Sequence, residues 1–148
     1  MLELLKVELE DFKKYIDIGF RDDAELELYY DKSAEVSGMD EMINNTYEKI
    51  KDFYNYFSGC KCYKVYLDNK DIGFLFLNNN PNVLISFSIS KEHRNSKILK
   101  EFFDSIVSEL ENSFTCLLFN ENDRGINWLK KCGMKIDIIT EAYTKLNY

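Results

Sequence analysis

Four cationic side chains lie close together where an apolar strand is predicted to turn into a helix. The strand is residues 84–89, and the helix is predicted to begin at residues 96–98. The first turn of a helix has unpaired N–H groups and about half a positive charge, so cations are unfavourable there unless an anion binds. In a chain with a formal net charge of −7, this arrangement predicts a site for a phosphorylated ligand. The cations are Lys91, Arg94, Lys97 and Lys100.

The composition excludes several other classes of protein. A length of 148 residues favours one domain, residues 1–148, large enough to bury about 68 to 70% of its unfolded surface. The acidic balance argues against a nucleic-acid or anionic-membrane surface. No apolar run approaches the roughly 20 residues that span a bilayer, and residues 1–6 do not resemble a secretory leader. We therefore expect a soluble, cytoplasmic protein.

Metal and thiol chemistry are not expected. The single histidine, His93, and the closely spaced Cys60 and Cys62 do not form a zinc-ligand pattern. Cys116 lies in an apolar segment and is predicted to be a buried, inert thiol. We expect no metal site and reduced cysteines.

Hydrophobic periodicity predicts the elements that position these residues. Three consecutive strands are predicted to form an antiparallel meander, and the wholly apolar strand 114–119 to be buried on both faces. The resulting fold class is α/β (α+β). The predicted order is a strand at 2–9, a helix from 11 to 20, an irregular connection at 22–38 with at most a short helical piece, a helix at 40–57, strands at 63–67, 72–77 and 83–89, a helix from 96, a strand at 114–119, a helix at 123–131 and one or two closing strands in 134–148.

Residues 89–99 resemble the pyrophosphate loop of the GNAT superfamily of acyl-CoA-dependent N-acetyltransferases. In that family, valine-x-proline-glutamate-aromatic-arginine leads into arginine/glutamine-x-x-glycine-x-glycine/alanine. The first part is matched by Ile89, Glu92, His93 and Arg94, whereas Lys97 and Leu99 occupy both glycine positions. The resemblance implies acetyl-CoA as the cofactor and a mixed, mostly antiparallel sheet of six or seven strands flanked by about four helices. The cofactor-binding residues that it implies here are Ile89, Arg94, Asn95, Ser96, Lys97, Ile98 and Leu99.

Residues 122–134 resemble the late signature of the same family, asparagine-x-x-alanine-isoleucine-x-x-tyrosine-x-lysine-x-glycine-phenylalanine. The resemblance implies that Asn122 contacts the cofactor arm, although its side chain is equally suited to cap the helix that follows. Leu129 occupies the position of the tyrosine, so the proton donor usual in the family is missing. The matching residues are Asn122, Gly125, Ile126, Lys131, Gly133 and Met134.

The chemistry implied by the resemblance is direct attack of an amine on a thioester. A backbone N–H near residues 88–90 would polarise the carbonyl, and pantetheine would enter between strand 83–89 and strand 114–119. The catalytic candidates retained are Ser88 and Tyr30. Other candidates for a general base are Tyr29, Glu25, Glu27 and Ser86.

The function predicted from the sequence is acetyl transfer from acetyl-CoA to a primary amine. The acidic composition favours a cationic acceptor, either a small molecule or a protein, and a homodimer is one option for the oligomeric state. The alternative is a catalytically degenerate binding or structural protein of this fold, of phage or mobile-element origin.

Overall fold

The computed structural model describes residues 1–111 and 113–148. Seven strands form one sheet in the order β1-β2-β3-β4-β5-β7-β6, in which β4 and β5 are parallel and the other neighbours are antiparallel. The mixed α/β architecture predicted from the sequence is confirmed. The strands are β1 (Leu2–Lys6), β2 (Cys60–Leu67), β3 (Lys70–Asn79), β4 (Asn82–Ile89), β5 (Thr115–Phe119), β6 (Lys135–Ile139) and β7 (Tyr143–Asn147). The helices are α1 (Lys13–Phe20), α2 (Ala24–Ser33), α3 (Met39–Tyr56), α4 (Ser96–Leu110) and α5 (Asp123–Lys131).

Helices cover both faces of the sheet because its central strands are apolar on both sides. Along β3, Phe74 and Phe76 pack with α1 and α3, whereas Leu75 and Leu77 pack with α4 and α5. This alternation follows from the two-residue period of a strand. None of the helices in residues 1–111 and 113–148 is both long and apolar enough to cross a bilayer.

The meander of β2, β3 and β4 is confirmed. β2 and β3 are joined at Asp68 and Asn69, which both have positive φ, at 47° and 67°. Positive φ at both central residues is typical of the two-residue turn that matches the twist of a hairpin, and aspartate and asparagine tolerate it better than most residues. The turn thereby sets the register between β2 and β3.

The connection predicted to be irregular at residues 22–38 contains the ten-residue helix α2. Asp23 caps this helix, because its Oδ1 accepts a hydrogen bond from the N–H of Leu26 at 3.2 Å. Leu26 is the buried residue of α2, so the helix lacks the apolar stripe that identifies helices in a sequence. Contacts with other elements therefore hold α2 in place, and the sequence pattern does not reveal them.

The predicted burial of strand 114–119 on both faces is wrong. Leu117, in the middle of β5, is 50% exposed, although Cys116 beside it is fully buried. The strand is covered on the side of α4 and α5 but open on the other side. Its apolar sequence therefore serves partly to line a cleft.

Candidate active site

A β-bulge interrupts β4 near its middle. Phe76 of β3 pairs with Ser86, but the next residue, Leu77, pairs with Leu84, so Ile85 is the extra residue of β4. A bulge bends its strand and increases the local twist. It therefore directs the second half of β4 away from β5, while the pairing with β3 continues to Ile89.

The parallel pairing of β4 and β5 is correspondingly short. Only Val83 with Thr115 and Leu84 with Cys116 are paired in the described residues. Beyond Leu84 the two strands separate, and a cleft of about 1280 Å³ opens between them. Volumes of several hundred to about 1,000 Å³ are typical of ligand sites, so this cleft has room for a large ligand.

Main-chain polar groups of β4 face this gap. The N–H of Ser90 donates to the carbonyl of Ile72 at 2.7 Å, which fixes the side of β4 that pairs with β3. Because successive residues of an antiparallel strand point their N–H groups to opposite sides, the N–H groups of Ile89 and Phe87 face the gap. One of them, Ile89, lies in the range 88–90 predicted to supply a carbonyl-polarising N–H.

The N-terminus of α4 lies at the mouth of the cleft. Asn95 is its cap: the side-chain Oδ1 accepts from the N–H of Ile98 and the carbonyl accepts from the N–H of Leu99, each at 3.0 Å. Within the described residues, the N–H groups of Ser96 and Lys97 have no acceptor, as expected for a first turn. Ser96 and the half-buried Leu99 border the cleft, whereas Lys97 is exposed.

Arg94 reaches the cleft wall, but its guanidinium is already engaged. Nε donates to the carbonyl of Ile89 at 2.8 Å and Nη2 to Oγ of Ser88 at 3.2 Å. Nη1 lies 2.6 Å from Oδ2 of Asp23, an ion pair whose angle is not that of a hydrogen bond. Arg94, which was predicted to bind phosphate, therefore ties the end of β4 to the start of α2.

Asp23 is the centre of a buried ion-pair cluster that the sequence did not reveal. The residue is 1% exposed and pairs with Arg94 and also with Arg124 of α5, whose Nη2 lies 2.9 Å from its Oδ2. Burial alone would raise the pKa of Asp23, but the guanidinium groups of Arg124 and Arg94 outweigh it and hold the pKa below its ordinary value. Burial also lowers the pKa of Arg94. An aspartate before a helix signals a cap, but nothing in the sequence identifies partners about 70 and 100 positions away.

The two catalytic candidates, Ser88 and Tyr30, differ in how far the fold already engages their hydroxyl groups. Ser88 Oγ donates to the carbonyl of Gly19 at 2.8 Å and accepts from Arg94, so both its proton and its oxygen already have partners within the protein. Tyr30 borders the cleft, with its hydroxyl 3.4 Å from Oγ1 of Thr46 and its ring edge-on to Phe119 at 5.9 Å. Burial raises the pKa of Tyr30, so its hydroxyl is protonated at neutral pH.

The late motif, residues 122–134, stabilises α5 and does not place a proton donor in the cleft. Asn122 borders the cleft, but its Oδ1 accepts from the N–H of Gly125 at 3.0 Å, which confirms the capping interpretation. Leu129, at the tyrosine position of the family signature, is 0% exposed. Trp128 instead forms part of the cleft wall, stacked on Phe102 at 5.9 Å.

The charges along the cleft are mostly positive, in contrast to the acidic chain as a whole. Within the described residues, Asp104 is the one carboxylate at its border, and it pairs with Lys100 at 2.7 Å. Because Arg94 and Arg124 share Asp23 and Lys100 pairs with Asp104, the cations that favour an anionic ligand within the described residues are Lys49 and Lys131. The cations at the border are Lys49, Arg94, Lys100, Arg124 and Lys131.

Neither a metal nor a reactive thiol stands out in residues 1–111 and 113–148. No group of three or more histidine, cysteine, aspartate or glutamate side chains there is arranged to hold a metal ion. Burial raises the pKa of Cys116 to about 12, which is the behaviour predicted for an inert thiol.

Comparison with known proteins identifies the fold. No protein-family model matches the chain, and no curated protein matches its sequence. Solved structures do match. An acetyltransferase from Thermus thermophilus is 10% identical with a TM-score of 0.71, over 100% of this chain and 96% of that chain. The PaiA N-acetyltransferase from Thermoplasma acidophilum, in complex with coenzyme A, is 16% identical with a TM-score of 0.66, over 99% and 98%. The N-acetyltransferase PseH from Campylobacter jejuni, in complex with acetyl coenzyme A, is 12% identical with a TM-score of 0.59, over 100% and 98%. The chain has the GNAT fold.

Proposed function

We propose that this protein transfers an acetyl group from acetyl-CoA to a primary amine. The observation that carries the proposal is the separation of β4 from β5 after the bulge at Ile85, which leaves main-chain N–H groups facing an open cleft. Structures of the same fold contain coenzyme A or acetyl coenzyme A, which supports acetyl-CoA as the ligand.

The residues around the cleft fit this cofactor. The unpaired N–H groups of Ser96 and Lys97 at the start of α4 suit its pyrophosphate. Lys97 replaces a glycine of the family motif, yet its side chain is exposed and leaves the cleft open. Leu99 and Asn122 border the space for the pantetheine arm, which would lie beside β4 as an additional strand.

Three of the residues predicted to bind the cofactor, Asn95, Ile98 and Arg94, have a supporting role in this proposal. Asn95 and the N–H of Ile98 form the cap, which holds the first turn of α4 at the mouth of the cleft. Arg94 fixes the carbonyl of Ile89 and so the direction of the β4 backbone. We assign both side chains to positioning the site rather than to phosphate binding.

Acetyl-CoA supplies the thioester that an amine attacks. The N–H of Ile89, which faces the gap, is our candidate to polarise the acyl oxygen, because a pre-aligned donor stabilises charge that develops there. Tyr30 is our candidate to protonate the leaving thiolate, because it borders the cleft and its hydroxyl carries a proton at neutral pH, while burial, which raises its pKa, rules it out as a base. Ser88 would orient Arg94 and would not itself react.

The proposal is tested by titrating acetyl-CoA into the protein and into two variants at Ser96. Ser96 is the first residue of α4, a position where proline is tolerated, and Asn95 before it is already extended, with φ −94° and ψ 165°. Ser96→Pro therefore removes one N–H without breaking the helix, whereas Ser96→Ala keeps it. We expect Ser96→Pro to weaken binding by about 1.5 to 3 kcal/mol, the contribution of a hydrogen bond to a charged group.

Ser96→Ala should bind acetyl-CoA like the unmodified protein, and both variants should melt within a few degrees of it. No binding heat at millimolar acetyl-CoA would refute the proposed cofactor. Equal affinities for the two variants would refute the role of this helix terminus.

A thiol-release assay across a panel of amines separates the enzyme from the alternative of a catalytically inactive protein. The burial of Leu129 at the position of the family's proton donor is the observation that favours that alternative. Binding of acetyl-CoA without release of thiol for any amine would support it.

A further inference from the structure

The cleft continues through the sheet to the face covered by α3. Cys116 and Leu118 of β5 belong with the apolar cluster of α4 and α5. Because strand side chains alternate between faces, Leu117 and Phe119 point to the opposite side. This second half of the cleft is where an acceptor would approach a thioester held between the strands.

Aromatic and apolar side chains enclose this half of the cleft. Phe119 is stacked with Tyr143 at 5.0 Å and contacts Tyr30 edge-on. Phe53 and Phe57, near the C-terminal end of α3, stack on each other at 5.9 Å and remain 39% and 37% exposed. All five side chains border the cleft.

Two further apolar residues complete the wall on the sheet. Ile85, the bulge residue, packs with the cluster beneath α3, and Leu117 is 50% exposed. A large apolar side chain left half exposed inside a concave site is favourably covered by an apolar ligand group.

The charges on this side exclude a polycationic acceptor. Asp104, the one carboxylate at the cleft border within the described residues, lies on α4 and is paired with Lys100. On α3 itself, within the described residues, the charged side chain at the cleft border is Lys49, whose Nζ lies 6.0 Å from the centre of the Phe119 ring. A second ammonium group would lose its hydration here without gaining a counter-ion.

We infer that the acceptor is a monoamine with an aryl or alkyl body and no second positive charge. This inference rests on the proposed function and names the acceptor class for that site. It replaces the cationic acceptor suggested by the overall acidity, because the excess carboxylates do not border the cleft. In the reaction the amine nitrogen forms the amide bond as the thioester C–S bond breaks, and the proton released by the amine is balanced by the proton taken up by the thiolate.

The test compares two probes, 1-naphthylmethylamine and spermidine, titrated into the protein saturated with coenzyme A. We expect the dissociation constant of naphthylmethylamine to be at least tenfold lower than that of spermidine. Leu117→Glu places a carboxylate in the apolar wall and should weaken naphthylmethylamine at least tenfold while tightening spermidine. Phe53→Glu provides a second variant from a different element.

Leu28→Glu is the matched control, because Leu28 is 58% exposed on α2 and does not border the cleft. It should leave both dissociation constants unchanged. Tight or equal binding of spermidine, or a Leu117→Glu variant that is folded by circular dichroism yet binds both probes unchanged, would overturn the inference while acetyl-CoA binding still supports the proposed function. Absence of acetyl-CoA binding would instead remove the proposed function itself.

Discussion

The buried Asp23 should be the most sensitive charged position for folding. Asp23→Asn keeps a side-chain oxygen that can cap α2 but removes the charge that neutralises Arg94 and Arg124. Breaking a buried ion pair by removing one partner costs about 3 to 5 kcal/mol. Because Arg94 keeps its bonds to β4 and Arg124 is partly solvated, we expect a loss near the lower limit, about 3 kcal/mol, in the free energy of unfolding.

Asp23→Ala also removes the helix cap and should cost about 1 kcal/mol more than Asp23→Asn. Chemical denaturation at pH 7 measures both values. The control is Asp40→Asn, because the side chain of Asp40 is 91% exposed and its pair with Arg21 lies at the surface. An exposed pair contributes at most about 1 kcal/mol.

The effect should also depend on pH with a defined sign. The pKa of Asp23 in the folded protein is lower than in the unfolded chain, where an aspartate titrates at about 3.9. Its contribution is therefore complete above that pH and is lost as the pH falls through the folded value. The difference in stability between the unmodified protein and Asp23→Asn should shrink below about pH 4. Equal losses for Asp23→Asn and Asp40→Asn at pH 7, or a difference that does not change in acid, would refute this account.

Three further substitutions test single contacts. Gly73→Ala would drive a Cβ into the carbonyl oxygen of Ser88, so we expect a loss of at least about 2 kcal/mol in the free energy of unfolding, measured by denaturation. Unchanged stability would show that the backbone shifts freely. Leu129→Tyr, which restores the tyrosine of the family signature, should lower stability by about 1 to 3 kcal/mol without raising turnover, because the site is fully buried; a faster enzyme would contradict this. Tyr30→Phe should lower kcat by about 100-fold or more while leaving acetyl-CoA affinity unchanged, and an unaffected kcat would exclude Tyr30 as the proton donor.

Strong local patterns explain why much of the fold was predictable. The stripe in α4 has apolar residues at every third or fourth position, and the turn at Asp68 and Asn69 uses residues that tolerate positive φ. These signals come from neighbours within about four positions along the chain. α2 lacks such a pattern, because Leu26 is its buried residue and its cap is tied to distant arginines. The sequence therefore predicts at most a short helical piece where the structure has a ten-residue helix.

The candidate site divides in the same way. The strand-to-helix turn with its unpaired N–H groups could be located from the sequence, because caps and first turns depend on local residue types. The ion pair of Arg94 with Asp23 could not be predicted, since Asp23 comes within 2.6 Å of Arg94 only after α2 folds back over the end of β4. Sequence suggested a phosphate ligand at Arg94, whereas the structure uses that side chain to join two elements.

By itself, the sequence determined the order of the elements and the position of the helix terminus, because hydrophobic period and capping are local properties of the chain. Only the tertiary structure decided which groups remain available in the cleft. A bulge at Ile85 separates β4 from β5, Asp23 neutralises two arginines, and apolar side chains from α3 and β5 meet across the opening. Each of these features depends on contacts between residues far apart in the chain, where distance and burial rather than residue type determine what a side chain can do.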